Sequence, residues 1–158
     1  MSSGPVIRLQ LRCRGTVQGV GFRPAIHRLA TSAGLVGWVI NDPQGATREI
    51  EGPASVVEGF AERLEDDLPP LARLDAVDRE VVDIRGSSEF EVRTSTMGRR
   101  EGALVPPDAV LCEDCKNEMN DPQDRRFRYP FTTCTNCGPR FSLVRQLPYD
   151  RERTSMAC

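Results

Sequence analysis

Three glycines set between a strand and a helix constrain this chain most. Gly15, Gly19 and Gly21 interrupt an alternating run and lead into Phe22-Arg23-Pro24. Before them, Ile7, Leu9, Leu11 and Cys13 fall on one face and Arg8, Gln10, Arg12 and Arg14 on the other, the period of a half-buried strand over 7–14. After them, Pro24 suits a first helical turn, Phe22, Ile26, Leu29, Ala30 and Ala33 recur at helical spacing, and Gly34 suits the stop, which predicts a helix over about 23–33. So short a passage from strand to helix needs glycine's backbone freedom, and it leaves main-chain N–H groups and the positive end of a helix dipole at the turn. That is a seat for an anion, with Arg23 at its rim as a planar fork suited to a phosphoryl group. Taken alone, the loop also reads as a plain turn with an exposed arginine, for it is neither a Walker A sequence nor a GxGxxG.

The next segments predict a sheet. Residues 35–41 and 47–51 read as strands of a hairpin around the turn-rich Asn41-Asp42-Pro43-Gln44-Gly45. Ser55 and Glu58 form a capping box for a second helix, whose face runs through Val56, Val57, Phe60, Leu64 and Leu68 to Pro69-Pro70. Residues 74–85 supply another strand, and Phe90-Glu91-Val92-Arg93 an extra edge strand. The order β-α-β-β-α-β predicts an α+β, ferredoxin-like sandwich over 1–95, with both helices on one face of an antiparallel sheet. Such a fold decides no function. A polar linker is expected over 96–108 and a second unit over 109–158.

That second unit is defined by Cys112-x2-Cys115 and Cys134-x2-Cys137, 18 residues apart. Two such knuckles can bring four thiolates to one Zn²⁺, and a closed site of that kind is structural. Free or disulfide-linked cysteines are the alternative. A redox pair lacks the βαβ setting of thioredoxin-like motifs. Cys13 reads as a small core residue, and Cys158 has no partner knuckle. No run approaches the roughly 20 apolar residues of a membrane span, and the N-terminus lacks a signal peptide's apolar core, so a cytoplasmic chain is expected. Residues 1–98 carry 11 basic and 14 acidic side chains and residues 99–158 carry 10 and 9, a balance that argues against a nucleic-acid partner. The mixture Arg125-Arg126-Phe127-Arg128-Tyr129 accordingly reads as a solvated, locally paired face beside Asp121 and Asp124. His27, the only histidine, stands one turn after Arg23, tempting as a base but read as a surface or partly packed residue.

The run Gly15-x-Val17-Gln18-Gly19-Val20-Gly21-Phe22-Arg23, followed by Gly37-Trp38-Val39-x-Asn41 and Gly45, closely resembles the acylphosphatase family over about 6–93. The resemblance implies that the loop amides of Gln18, Gly19, Val20, Gly21, Phe22 and Arg23 cradle phosphate. It further implies that Arg23 binds the phosphate oxygens and that Asn41 positions the attacking water. An acyl phosphate carries a good leaving group, so orientation and charge stabilisation suffice without a histidine or a carboxylate pair. Val105-Pro106-Pro107-Asp108, Asp121-Pro122-x-Asp124-Arg125-Arg126, Tyr129-Pro130-Phe131, Cys137-Gly138-Pro139-Arg140-Phe141 and Pro148-Tyr149-Asp150-Arg151 extend the likeness. With them the whole chain resembles the N-terminal portion of the HypF-type carbamoyltransferases of nickel–iron hydrogenase maturation. This implies carbamoyl phosphate, or another acyl phosphate, as substrate, and later domains and HypE as partners. In that family the chain would continue past Cys158, so a segment of a longer protein is expected. A stand-alone acylphosphatase with an appended zinc unit, or a non-enzymatic zinc docking module, are the alternatives.

Overall fold

β1 (Val6–Thr16) lies within the sheet, between β3 (Gly45–Pro53) and β4 (Arg73–Val82). β2 (Val36–Asp42) flanks β3, and β5 (Phe90–Val92) closes the edge, giving the order β4-β1-β3-β2-β5. The computed structural model describes residues 4–95, 109–132, 134, 136–138, 143–146 and 150–155. The expected linker over 96–108 and the role of Cys158 lie outside those residues. All strand pairs are antiparallel except β2 with β5, which run parallel. The ferredoxin-like α+β sandwich is therefore present, with the short edge strand added beside β2.

Each strand sends one face to the helices. Leu9, Leu11 and Cys13 of β1, Val39 of β2 and Ala46 and Ile50 of β3 are buried with Phe22, Ile26 and Ala30 of α1 (Phe22–Ser32). Val57, Phe60 and Ala61 of α2 (Ala54–Glu62) complete the same core. β2 is shifted one residue from its expected span, β3 is longer than expected, and the turn shrinks to Pro43-Gln44, where Asp42 accepts the backbone N–H groups of Gln44 and Gly45 at 2.9 Å.

Two expectations about α2 need correction. Its N-cap is Pro53, with no side-chain cap, and Ser55 lies inside the helix. The first helical amide, that of Ala54, donates instead to the carbonyl of Pro5 at 2.9 Å, so the start is fixed by the neighbouring chain and moves upstream of Ser55. The helix also stops at Glu62 instead of running to Leu68. Glu65-Asp66-Asp67 would have placed three negative charges at the negative end of its dipole.

The other face of the sheet was expected to be polar and exposed, yet Arg8 on it is 1 % exposed. Its guanidinium bridges Glu49 at 2.8 Å and Glu51 at 2.6 Å, while Glu51 also accepts the backbone N–H groups of Arg85 and Gly86 at 2.9 Å. The segment after β4 thus covers this end of the sheet. Among the described residues no helix is long and apolar enough to cross a membrane.

In the second unit, α3 (Glu113–Asn120) begins at its N-cap Cys112 and buries Cys115. Residues 143–146 and 153–155 pair with each other: Arg145 and Gln146 donate to the carbonyl of Arg153, and Ser155 to that of Leu143. A 3-10 turn at Arg151–Arg153 follows Asp150.

Candidate active site and metal centre

The loop between β1 and α1 spends its apolar side chains on the core. Val17, Val20 and Phe22 are each at most 1 % exposed, so what the loop can offer a ligand is its main chain. Gly19 and Gly21 adopt φ of 72° and 77°, the left-handed region that glycine enters without cost, and Gly21 is the N-cap of α1. No acidic residue occupies the first turn of that helix, so its positive end is not neutralised locally. Gln18 does not turn its side chain to the cradle. Its amide nitrogen donates to the carbonyls of Asp42 and Gly45, both at 2.7 Å, and so ties the loop to the β2–β3 turn.

That tie brings the end of β2 to the helix start. Asn41, 1 % exposed, places its amide oxygen, assigned from the hydrogen-bond network, 3.1 Å from Nε and 3.2 Å from Nη2 of Arg23. Arg23 also donates to Ser95 Oγ at 3.3 Å and to Asp150 Oδ1 at 2.9 Å. The loop, Arg23 and Asn41 form one cluster, although Asn41 follows Arg23 by 18 residues of sequence. His27 turns elsewhere, its ring edge-on to Phe90 at 6.0 Å.

Two residues given no site role from the sequence lie nearby, Asp150 against Arg23 and Arg48 against the Phe22 ring. Asp150 comes from the second unit, its carbonyl accepting the Arg153 N–H at 2.9 Å. Arg48, fully buried on the helix side of β3, holds its guanidinium over the Phe22 ring at 5.5 Å. Its Nε, Nη1 and Nη2 have no hydrogen-bond partner among the described residues, and burial lowers its pKa from the ordinary arginine value.

The four knuckle cysteines converge as expected. Their sulfurs lie within 4.8 Å of one another, with Cys112–Cys134 at 3.5 Å, Cys134–Cys137 at 3.7 Å and Cys115–Cys137 at 3.8 Å. These separations exclude disulfides among them. Four thiolates about 2.3 Å from a tetrahedral centre would stand about 3.8 Å apart, so the cluster suits a closed four-sulfur metal site. Burial raises the Cys115 thiol, whereas backbone and thiol hydrogen bonds overcome burial at Cys137 and bring it to about 6. The second knuckle rests on the β1–α1 loop: a Cβ on Gly138 would stand 2.9 Å from the Gly19 carbonyl oxygen.

In the intervening stretch Arg126 pairs with Glu118, and Asp124 accepts the Arg126 N–H at 2.7 Å, a locally paired face as expected.

The acylphosphatase family model matches residues 9–92, and a protein named acylphosphatase from Salinibacter ruber is 38% identical, the match covering 59% of this chain and 99% of that protein. The chain belongs to the acylphosphatase family. It has the fold and loop of an acylphosphatase-type hydrolase domain, followed by a second matched unit, the HypF finger, over residues 111–144. The carbamoyltransferase HypF of Rhizobium leguminosarum bv. viciae is 48% identical over 97% of this chain. A crystal structure of full-length HypF in the phosphate- and nucleotide-bound form superposes with a TM-score of 0.88 at 38% identity, over 98% of this chain. The chain spans about a fifth of the length of these carbamoyltransferase relatives, corresponding to their N-terminal portion.

Proposed function

We propose that this chain is the N-terminal segment of a HypF-like carbamoyltransferase and that its glycine-loop site hydrolyses carbamoyl phosphate to carbamate and phosphate. The observation that carries the reading is the Arg23–Asn41 contact at 3.1 Å and 3.2 Å, made at the mouth of the loop in a chain that also carries the HypF finger. In this step the amides of residues 18–23 and the Arg23 guanidinium hold the phosphoryl oxygens, and the helix dipole favours the added charge. Asn41, anchored through its oxygen, holds the water in line with the phosphorus. The carbamate leaves without a general acid because it is a stable anion, so positioning and charge neutralisation supply the catalysis.

Zn²⁺ held by Cys112, Cys115, Cys134 and Cys137 is the structural metal of the second unit, in keeping with their sulfur spacing. Carbamate would pass to ATP-dependent domains further along the full protein, as carbamoyl-adenylate, and finally to the C-terminal cysteine of HypE, in the cytoplasm. The test is phosphate release from carbamoyl phosphate and acetyl phosphate by the wild type and Arg23→Ala. Loss of release with both substrates in the variant is expected; full activity without Arg23 removes it from the mechanism.

A further inference from the structure

An acidic side chain on the phosphate-binding arginine is an odd feature of a site meant for a dianion. Asp150 Oδ1 lies 2.9 Å from Arg23 Nη2, and the two side chains are only 21 % and 16 % exposed, so this is not a surface pair that salt would screen away. Nor is Asp150 on a loose tail: the backbone bonds of residues 143–146 to 153–155 and the turn at Arg151–Arg153 hold it, and Gly138 of the same unit rests on Gly19. The second unit therefore brings a carboxylate to the anion site.

To a phosphoryl group that carboxylate offers only repulsion, since both present acceptors. The balance changes with the acyl half of the substrate. A carbamoyl group carries an NH2 that can donate to a carboxylate oxygen, whereas an acetyl group presents a methyl in the same place. The loop amides and Arg23 take the phosphoryl end, which leaves the acyl end for the second unit, whose Asp150 borders that seat at Arg23 Nη2.

We propose that Asp150 is the specificity residue of the site, accepting a hydrogen bond from the carbamoyl N–H and disfavouring acyl phosphates that have no donor there. The inference rests on the hydrolase reading above and adds to it the group that chooses the acyl half. A hydrogen bond to a charged acceptor corresponds to about a tenfold to hundredfold preference.

The experiment measures kcat/KM for carbamoyl phosphate and for acetyl phosphate, with competition by inorganic phosphate, in the metal-loaded 158-residue chain and its variants Asp150→Ala and Asp150→Asn. In Asp150→Ala the carbamoyl-to-acetyl ratio is expected to fall at least tenfold, with acetyl phosphate and inorganic phosphate binding more tightly. Asp150→Asn, which keeps an acceptor oxygen but no charge, is expected to fall between, and it serves if the alanine variant does not fold. A ratio unchanged within twofold in both variants overturns the assignment. That holds whether both activities drop, as for a carboxylate that only braces Arg23, or both rise, as for one that only fills the phosphate seat. A wild type that releases phosphate from neither substrate overturns the hydrolase reading, and this inference with it.

Discussion

Arg23 differs from an ordinary helix-start arginine in that its orientation is set by three other segments of chain: Asn41 from β2, Ser95 after β5 and Asp150 from the second unit. A guanidinium so held would lose little further freedom in the phosphate-binding role proposed for it, the condition under which a charge-stabilising group is effective. Asn41 has the opposite exposure to substitution. Replaced by Ala, it removes a contact to Arg23 and the group assigned to the water, so kcat should fall about a hundredfold with a smaller change in KM. Steady-state kinetics on carbamoyl phosphate would show it; a KM effect alone would mean that Asn41 only supports Arg23. At this scale the sequence singles out Arg23, Asn41 and the four cysteines, because each belongs to a short motif whose chemistry is local, and the structure brings Arg23 to Asn41 and the four sulfurs together. It does not reveal the anchoring of Gln18 to Asp42 and Gly45, the burial of Arg48 or the reach of Asp150, since all three depend on which distant segments meet.

The elements show the same division. β1 reads correctly because its period is its own, but the polar half of that period carries Arg8, which the Glu49–Glu51 pair of β3 and the segment over 83–88 then bury. Alternation identifies a face, and only topology says what covers it. The start of α2 was misread for a similar reason: the capping box is a local device, and the carbonyl of Pro5 outcompetes it. Burial alone would raise the carboxyls of Glu49 and Glu51, yet hydrogen bonds from Gln10, Arg8 and the backbone N–H groups of Arg85 and Gly86 hold both below the ordinary glutamate range. A carboxylate lowered in the folded state stabilises above its unfolded pKa and loses that contribution as pH falls through the folded value. Stability should therefore decline from about pH 5 downward, and Glu51→Gln should flatten that decline while lowering stability at pH 7; urea midpoints against pH test both. Arg48 calls for the reverse experiment. A buried guanidinium without hydrogen-bond partners costs more than an apolar chain of similar length, so Arg48→Met should raise stability by about 1–3 kcal/mol. A fall in the urea midpoint of that variant would show that the charge is satisfied in solution.

For the whole molecule the question is how far the two units depend on each other. The hydrophobic core runs from Leu9 to Phe90 and, among the described residues, includes none of the second unit, so the sandwich should stand without the metal. The second unit is different. Among its described residues the buried ones are Cys115, Cys137, Thr132 and Thr154, a small and polar set, so its order should come from the cysteine cluster. Chelation should release one zinc per chain and open the Arg125–Arg128 stretch to trypsin, while the far-ultraviolet dichroism of the sandwich changes little. If Asp150 is delivered to Arg23 only by the folded second unit, the stripped chain should also lose its preference for carbamoyl over acetyl phosphate, as Asp150→Ala does, while still releasing phosphate. Protection from trypsin without metal would refute the dependence. A stripped chain that keeps its acyl preference would mean that Asp150 reaches Arg23 by the packing of Gly138 on Gly19 and the bonds within 143–155, with the metal bracing a contact that the chain can make without it.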